Sequence, residues 1–332
     1  MTDRVRRKDG QSTARLAGAV AGWVLVLPSA YLATGRLTRQ ETRVSVLMAE
    51  ALTPVLAVPA LAALGLAVVT RRRALGAVAG ALALLHVAWA APDLQRPRPL
   101  PDEAEDAPRM RLFSGNLLFV NTDMGGFADE IGAARPDVIA LQELSPVNLA
   151  RLEERGTFDD FPHRSVDARP DAFGTGVFSR FPLEDSEQLR VAGLPVARTT
   201  VVVGDRRVRL HDVHTRAPFG PGAVRTWNEQ LDDLRRAAEE EKGPLVLAGD
   251  FNATAGHRGF RALLGAGMRD AHVEWGRGWV TTWPSDLPLL PPLARLDHVL
   301  VSDGVAVVRV REGTGRGSDH LPLIADLAIT GG

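Results

Sequence analysis

PLVLAGDFNAT, residues 244–254, is an apolar run that stops at Asp250 and Asn252. A short apolar run bounded by turn residues is the pattern of a buried strand. Working outward, the same arrangement recurs. MRLFSGNL (110–117) closes on Asn116, DVIALQEL (137–144) on Gln142 and Glu143, and LHDVHTRAP (210–218) carries His214 at its end. RLDHVLVS (295–302) opens with Asp297 just before a strand, and GSDHLPLIADL (317–327) does so with Asp319 and His320. TGVFSRFP, ARTTVVVG and VAVVRVREG add further β-rich runs. FADEIGAARP and VRTWNEQLDDLRRAAEEEKG instead carry apolar residues at helical spacing, stopped by Pro and Gly respectively. The pattern predicts an α/β sandwich of two mixed sheets with helices outside. No internal repeat is visible. Polar residues at six junctions of strand and loop predict one common face.

These residue types suit phosphoester chemistry. A phosphoester and an attacking hydroxide are both negative, and a hard divalent cation held by carboxylate oxygen offsets that charge. Glu143, Asp319 and Asp250 offer such oxygens. Asn116 and Asn252 can bind a metal through the amide oxygen or donate to a phosphoryl oxygen through the NH₂. His320 with Asp297 forms a candidate proton-handling pair. The chain has no cysteine. That excludes disulfides, thiolate sites and cysteine nucleophiles, and with no close multi-histidine cluster it favours magnesium or manganese over zinc.

The ordered motifs resemble the endonuclease/exonuclease/phosphatase superfamily over about residues 109–330: Asn116, the Gln142–Glu143 pair, GTGVFSR, His214, GDFN at 249–252, LDHV at 296–299 and SDH at 318–320. The resemblance implies a four-layer, deoxyribonuclease-like α/β/β/α fold. It implies a metal bound by Glu143 with help from Asn116 and Asp319. Asp250 and Asn252 would orient water and phosphate. His320, oriented by Asp297, would be the base or a phosphate-stabilising cation, and the choice of base between Asp250 and His320 stays open. His214 would contact the phosphate or assist the leaving group. Many members place a Tyr or His in the central phosphate pocket; the one Tyr here is Tyr31, in an N-terminal apolar run, and His163 is a candidate.

Three apolar runs precede this region: Leu16 to about Thr34, Val44 to Thr70, and Ala74 to about Ala91. Each approaches the ~20 residues of a membrane-spanning helix, so three transmembrane helices in residues 1–91 are expected. The weak point is the second run, which contains Glu50, Pro54 and Pro59. Arg and Lys flanking the spans predict a cytoplasmic N-terminus and an extracellular catalytic domain in a multi-pass cell-membrane protein. Residues 92–108, rich in Pro, Asp and Glu, read as a semi-extended linker, and 109–332 as the catalytic domain. This layout resembles the VanJ-like teicoplanin-resistance membrane proteins. That likeness suggests an envelope role on polyprenyl phosphates or diphosphates, or on another lipid-linked phosphate such as a phospholipid.

Charge divides unevenly. Residues 1–100 hold 13 Lys and Arg against 5 Asp and Glu, and the remainder holds 26 against 35. An acidic catalytic half is a poor match for long duplex nucleic acid. The competing readings are an extracellular nuclease and an inactive, phosphate-binding membrane receptor. Finally, residues 274–293 carry Trp275, Trp279, Trp283, Leu287, Leu289, Leu290 and four prolines directly before Asp297. That stretch is either packed on the domain or an apolar lip beside the site.

Overall fold

The N-terminal apolar runs fold as four helices: α1 (Thr2–Leu37), α2 (Val44–Ala51), α3 (Ala57–Thr70) and α4 (Arg73–Ala90). The computed structural model describes residues 2–40 and 42–331, with side chains from Thr13 onward. Among the described residues, two segments, Thr13–Leu37 and Arg73–Leu94, are long and apolar enough to cross a membrane. The second run departs from the expected single helix. It breaks between α2 and α3 around Pro54, whose ring cannot donate and clashes with the preceding turn. Large apolar side chains such as Leu16, Val24, Leu27, Val58, Val68 and Leu84 are exposed, while Ala19, Ala33, Ala60, Ala63, Ala67 and Ala79 are buried. Val26, Leu32, Leu47 and Leu75 are buried beside these alanines, so small residues share the interior with large ones while many other large apolar side chains face outward, as they do in a bundle surrounded by lipid.

The chain divides into two compact units, Met1–Pro92 and Asp93–Gly332. In the second unit, two six-stranded sheets face each other. The strands are β1 (Arg109–Asn116), β2 (Val138–Gln142), β3 (His163–Asp167), β4 (Thr175–Ser179), β5 (Leu183–Val191) and β6 (Leu194–Val203). They continue with β7 (Arg206–His214), β8 (Leu245–Asp250), β9 (Arg269–Asp270), β10 (Asp297–Val301), β11 (Val305–Glu312) and β12 (Leu323–Ile329). The orders are β11-β12-β1-β2-β4-β3 and β5-β6-β7-β8-β10-β9. Each sheet has one parallel pair at its centre, β1 with β2 and β7 with β8, among antiparallel neighbours. The two sheets thus share one plan, although the sequence shows no repeat.

Side-chain alternation explains the layers. Met110, Leu112, Val138, Ala140, Leu210, Val246, Ala248, Val299 and Val301 fill the seam between the sheets. Phe113, Ile139 and Leu141, at the intervening positions, meet α5 (Met124–Ala134) and α6 (Pro146–Glu154) through Phe127, Ile131 and Leu152. Asp123 caps α5 by accepting from Gly126 N, and Ser145 caps α6 ahead of Pro146. α7 (Ala223–Glu240) buries Trp227, Leu231 and Leu234 at helical spacing, and the Trp227 indole donates to Phe251 O. α8 (Arg258–Gly265) buries Phe260 edge-on to Phe251.

Residues 93–101 open the second unit and pack on the rest of it. Asp93 reaches Arg295, Arg98 N donates to Glu274 O at 2.8 Å, and a Cβ on Gly276 would fall 2.6 Å from Pro97. Beyond them, α9 (Ala271–Glu274) carries Glu274, which also pairs with Arg98 and Arg269.

Candidate active site

Counting by twos along the seam-facing positions explains where the polar residues go. β1 continues from 110 and 112 to Asn116, β7 from 208 and 210 to His214, and β8 from 246 and 248 to Asp250. β10 runs the other way, so its first seam-facing residue is Asp297. His214 and Asp297 are the two register neighbours of Asp250. All four therefore sit where the seam opens at one end of the sandwich.

Their contacts cross between the sheets. Asn116 Nδ2 lies 3.1 Å from both Glu143 Oε1 and Asp250 Oδ2, while its oxygen accepts from Leu118 N. Glu143 Oε2 accepts from Phe119 N at 2.9 Å. Glu143 adopts φ +56, a strained conformation for a side chain without local compensation. Its neighbourhood is tight, since a Cβ on Gly174 would fall 2.1 Å from Leu144 O, which explains the first glycine of GTGVFSR. In GDFN, Gly249 has φ +137 and a Cβ there would collide with Val213 O, so the strand can reach Asp250 beside β7 with glycine alone. Asn252 takes the left-handed conformation that Asn tolerates, with Nδ2 donating to Thr215 O and to Asp250 Oδ2.

His214 Nε2 is 3.7 Å from Glu143 and 3.8 Å from Asp250, and its Nδ1 is buried without a hydrogen-bond partner. The Phe173 ring lies 5.9 Å from the His214 ring. His320 Nδ1 hydrogen-bonds Asp297 Oδ2 at 2.9 Å, and its Nε2 faces Asp250 at 3.7 Å. The pair expected from the sequence is thus made. Burial alone would push His320 down, but Asp297 and Asp250, with the Asp297 hydrogen bond and Asp319, outweigh it and raise the imidazole to about 10. Burial raises Asp250 above the usual carboxylate range, with Asp297 adding to the effect and His320 and His214 opposing it. Asp319 sits one residue before His320, and its carboxylate accepts from Trp283 Nε1 at 3.0 Å.

The seven residues Asn116, Glu143, His214, Asp250, Asn252, Asp297 and His320 are joined by these contacts. Asp319 stands at their edge on Trp283. His163 lies on β3, an edge strand opposite Ser179, outside that network. Sequence reasoning missed Trp283 as a partner of Asp319, and it missed Asp212. Asp212 is seam-facing on β7 and accepts from Gln142 Nε2 at 2.6 Å.

The donor set fits a hard divalent cation: three carboxylates and two amides converge, with no sulfur. Asp250, Asp297 and His320 have ligand atoms within 4.8 Å of one another. His320 already neutralises that trio, however, and Glu143, whose side chain is 13% exposed against 2% for Asp250, is the more available ligand.

A family model, "Endonuclease/Exonuclease/phosphatase family", matches residues 113–320, from β1 to His320. The chain belongs to the endonuclease/exonuclease/phosphatase family. Members are metal-dependent phosphoesterases. The chain is 28% identical over 158 residues to the UPF0294 protein VV2535 of Vibrio vulnificus (strain YJ016), a match covering 47% of this chain and 45% of that protein. It therefore spans about half the length of that curated relative. Solved structures of this family share the fold. One is the endonuclease/exonuclease/phosphatase from Beutenbergia cavernae DSM 12333, with TM-score 0.52 and 20% identity over 67% of this chain and 72% of that one. Another is D. rerio TDP2 complexed with single strand DNA product, at 0.54 and 18% over 66% and 98%. A third is the Bacteroides thetaiotaomicron VPI-5482 mannosyl-6-phosphatase Bt3783, at 0.52 and 16% over 66% and 99%.

Proposed function

We propose that this family member is a membrane-anchored phosphoesterase that hydrolyses a phosphate ester or diphosphate borne on an apolar, lipid-linked molecule, using magnesium or manganese. The observation that carries the hydrolytic part is the contact network across the seam, with Asn116 and Glu143 from one sheet meeting His214 and Asp250 from the other. Glu143 would hold the cation, with Asn116 fixing the carboxylate and Asp319 beside it. A divalent cation there supplies positive charge against the phosphoryl oxygens. Asp250, fixed by Asn116 and Asn252, orients the attacking water. His320, held between Asp297 and Asp250, presents its charge to the phosphate or, once deprotonated, takes the proton from the water. His214 presents Nε2 toward the same space, beside the leaving group.

Support for the anchor is the set of large apolar side chains that the first unit leaves exposed on its helices. The second run also lies along α1 from Gly18 to Gly35 despite its break. Gly35 lies against Val46, Ser29 donates to Leu56 O at 2.7 Å, and Gly18 lies against Thr70. The turn between α2 and α3 keeps its backbone bonded, with Thr53 N to Glu50 O, Leu56 N to Leu52 O and Ala57 N to Pro54 O. A segment without water must bond its backbone internally, and these bonds meet part of that need at the break. Three crossings put the catalytic unit on the side opposite the N-terminus, outside the cell. An envelope phosphatase of this kind would suit a role in glycopeptide resistance. The acidic catalytic half weighs against a nuclease of long duplexes.

The test is the purified full chain assayed with magnesium and manganese against a long-chain polyprenyl diphosphate, a phospholipid, a short soluble phosphoester and duplex DNA. Turnover of the lipid-linked phosphates that EDTA abolishes is the expected result; turnover of DNA alone would overturn the lipid reading, and no turnover of any ester would overturn the hydrolase.

A further inference from the structure

The loop between Trp283 and Ala294 is closed at its neck. Thr282 and Trp283 both bond Ala294 O, and Leu293 N and Ala294 N both donate to Trp283 O. The neck is also fixed to the catalytic edge: Trp283 Nε1 bonds Asp319, Ser285 N donates to Asp319 O, and Ser285 Oγ donates to Ser318 O. From this base the loop projects Leu287, Leu289 and Leu290, which are 42%, 92% and 55% exposed. Five of residues 284–293 are proline or serine and one, Asp286, is charged. Exposed apolar residues also occupy other loops leaving the site. Phe119, whose backbone bonds Glu143, is followed by Val120, and Phe219 lies five residues past His214; all three are exposed.

An isolated exposed leucine is ordinary, but here exposed apolar side chains recur on three loops that leave site residues. Of the three tryptophans of the region, Trp275 packs on the core and Trp283 is spent on Asp319, while Trp279 is itself exposed. The leucines at the tip are exposed, Leu289 almost fully, and the neighbouring prolines restrict the backbone, so little conformational entropy is lost when they dock. The geometry points to a lipid bilayer as the occupant: residues 285–293 form an apolar lip whose leucines enter the hydrocarbon of one leaflet, so that a phosphate at headgroup depth meets the site behind Asp319. A bilayer is favoured over a protein partner because the same chain bears helices with outward apolar faces, which a bilayer covers. The inference rests on the reading of the chain as a membrane-anchored phosphoesterase.

The chain has no cysteine, so a single Leu289→Cys in the full chain can carry an environment-sensitive fluorophore. The control is Asp303→Cys, a fully exposed site past the other end of β10 from Asp297. In nanodiscs containing spin-labelled phospholipid, the label at 289 should emit to the blue and be quenched, while that at 303 should do neither. Equal quenching at the two sites overturns the lip. In a second arm, Leu289→Ser combined with Leu290→Ser should lower the ratio of long-chain lipid phosphate turnover to short-ester turnover by about tenfold or more, tenfold being the lower end of the cost of losing a single buried leucine. An unchanged ratio overturns the lip. If the parent hydrolyses neither ester, the hydrolase reading fails, and the quenching still decides the lip.

Discussion

Gln142 of one sheet donates to Asp212 of the other at 2.6 Å, in the middle of a seam otherwise filled with Val, Leu and Ala. Gly176 N is the carboxylate's second donor. Burial pushes Asp212 from its ordinary 3.8 up to about 8, against the two hydrogen bonds that favour the ion. The folded state therefore keeps a proton that the unfolded chain has released above about pH 4. From this group stability is greatest below that point and falls as pH rises toward 8. Asp212→Asn removes the titration and keeps the shape. Thermal unfolding of the variant should show a flatter dependence between pH 5 and 8, on the order of the window those values define; a parent-like slope would show that Asp212 is already ionised.

Glu143→Gln retains the volume and removes the charge proposed to hold the cation. Turnover should fall by about 10²–10³ or more, with circular dichroism unchanged. In the parent, EDTA should abolish turnover and added magnesium or manganese restore it. Full activity after either treatment would exclude a metal held by Glu143.

Asp297 and His320 should behave as one device, because Nδ1 of the ring is bonded to the carboxylate. Asp297→Asn and His320→Gln should each reduce kcat by ~10²–10⁴ with a smaller effect on KM. The double variant should be little worse than His320→Gln alone. Additive losses would mean that the two act separately.

Asp93 and Arg295 tie the start of the second unit to the strand carrying Asp297. Burial raises Asp93 above the usual carboxylate range, partly offset by Arg295. Asp93→Ala leaves the buried guanidinium with Asp270 alone among the carboxylates it contacts, which should cost about 1–3 kcal/mol. It should also open residues 93–101 to limited proteolysis. Unchanged cleavage would assign the docking of that segment to Arg98 and Pro97 instead.

Reporter fusions after Gly332 test the anchor. A reporter active only outside the cell should be active if the chain makes the three crossings proposed above. Activity of a cytoplasmic reporter in its place would mean that the broken segment of α2 and α3 turns back without crossing, and it would remove the envelope substrate as well.

Much of the site was legible because strand periodicity is local. An apolar run that ends in Asp, Asn, His or Glu announces a polar residue at the mouth of a buried layer, and counting by twos puts Asn116, His214, Asp250 and Asp297 on the inner face. The two sheets' common plan was not legible, because it lies in strand order and direction, which differing sequences satisfy equally. Glycine in GDFN reads as a turn residue in the sequence; the collision it avoids, with Val213 O, exists once β7 lies alongside β8.

By itself the sequence determined the apolar runs, the strand ends and their chemistry, since each depends on residues a few positions apart. Tertiary structure alone decided which of these ends meet. Gln142 finds Asp212 and Asn116 finds Asp250 across the seam, while Trp283 finds Asp319 from a loop 36 residues away in the chain. It likewise decided that the second apolar run bends at Pro54, that residues 93–101 lie against the catalytic body, and that Trp283 turns inward while Leu289 faces solvent. Hydrophobicity is the same property in all of those side chains; what separates them is whether the folded neighbours leave room and a hydrogen-bond acceptor, and that is a property of the assembled layers.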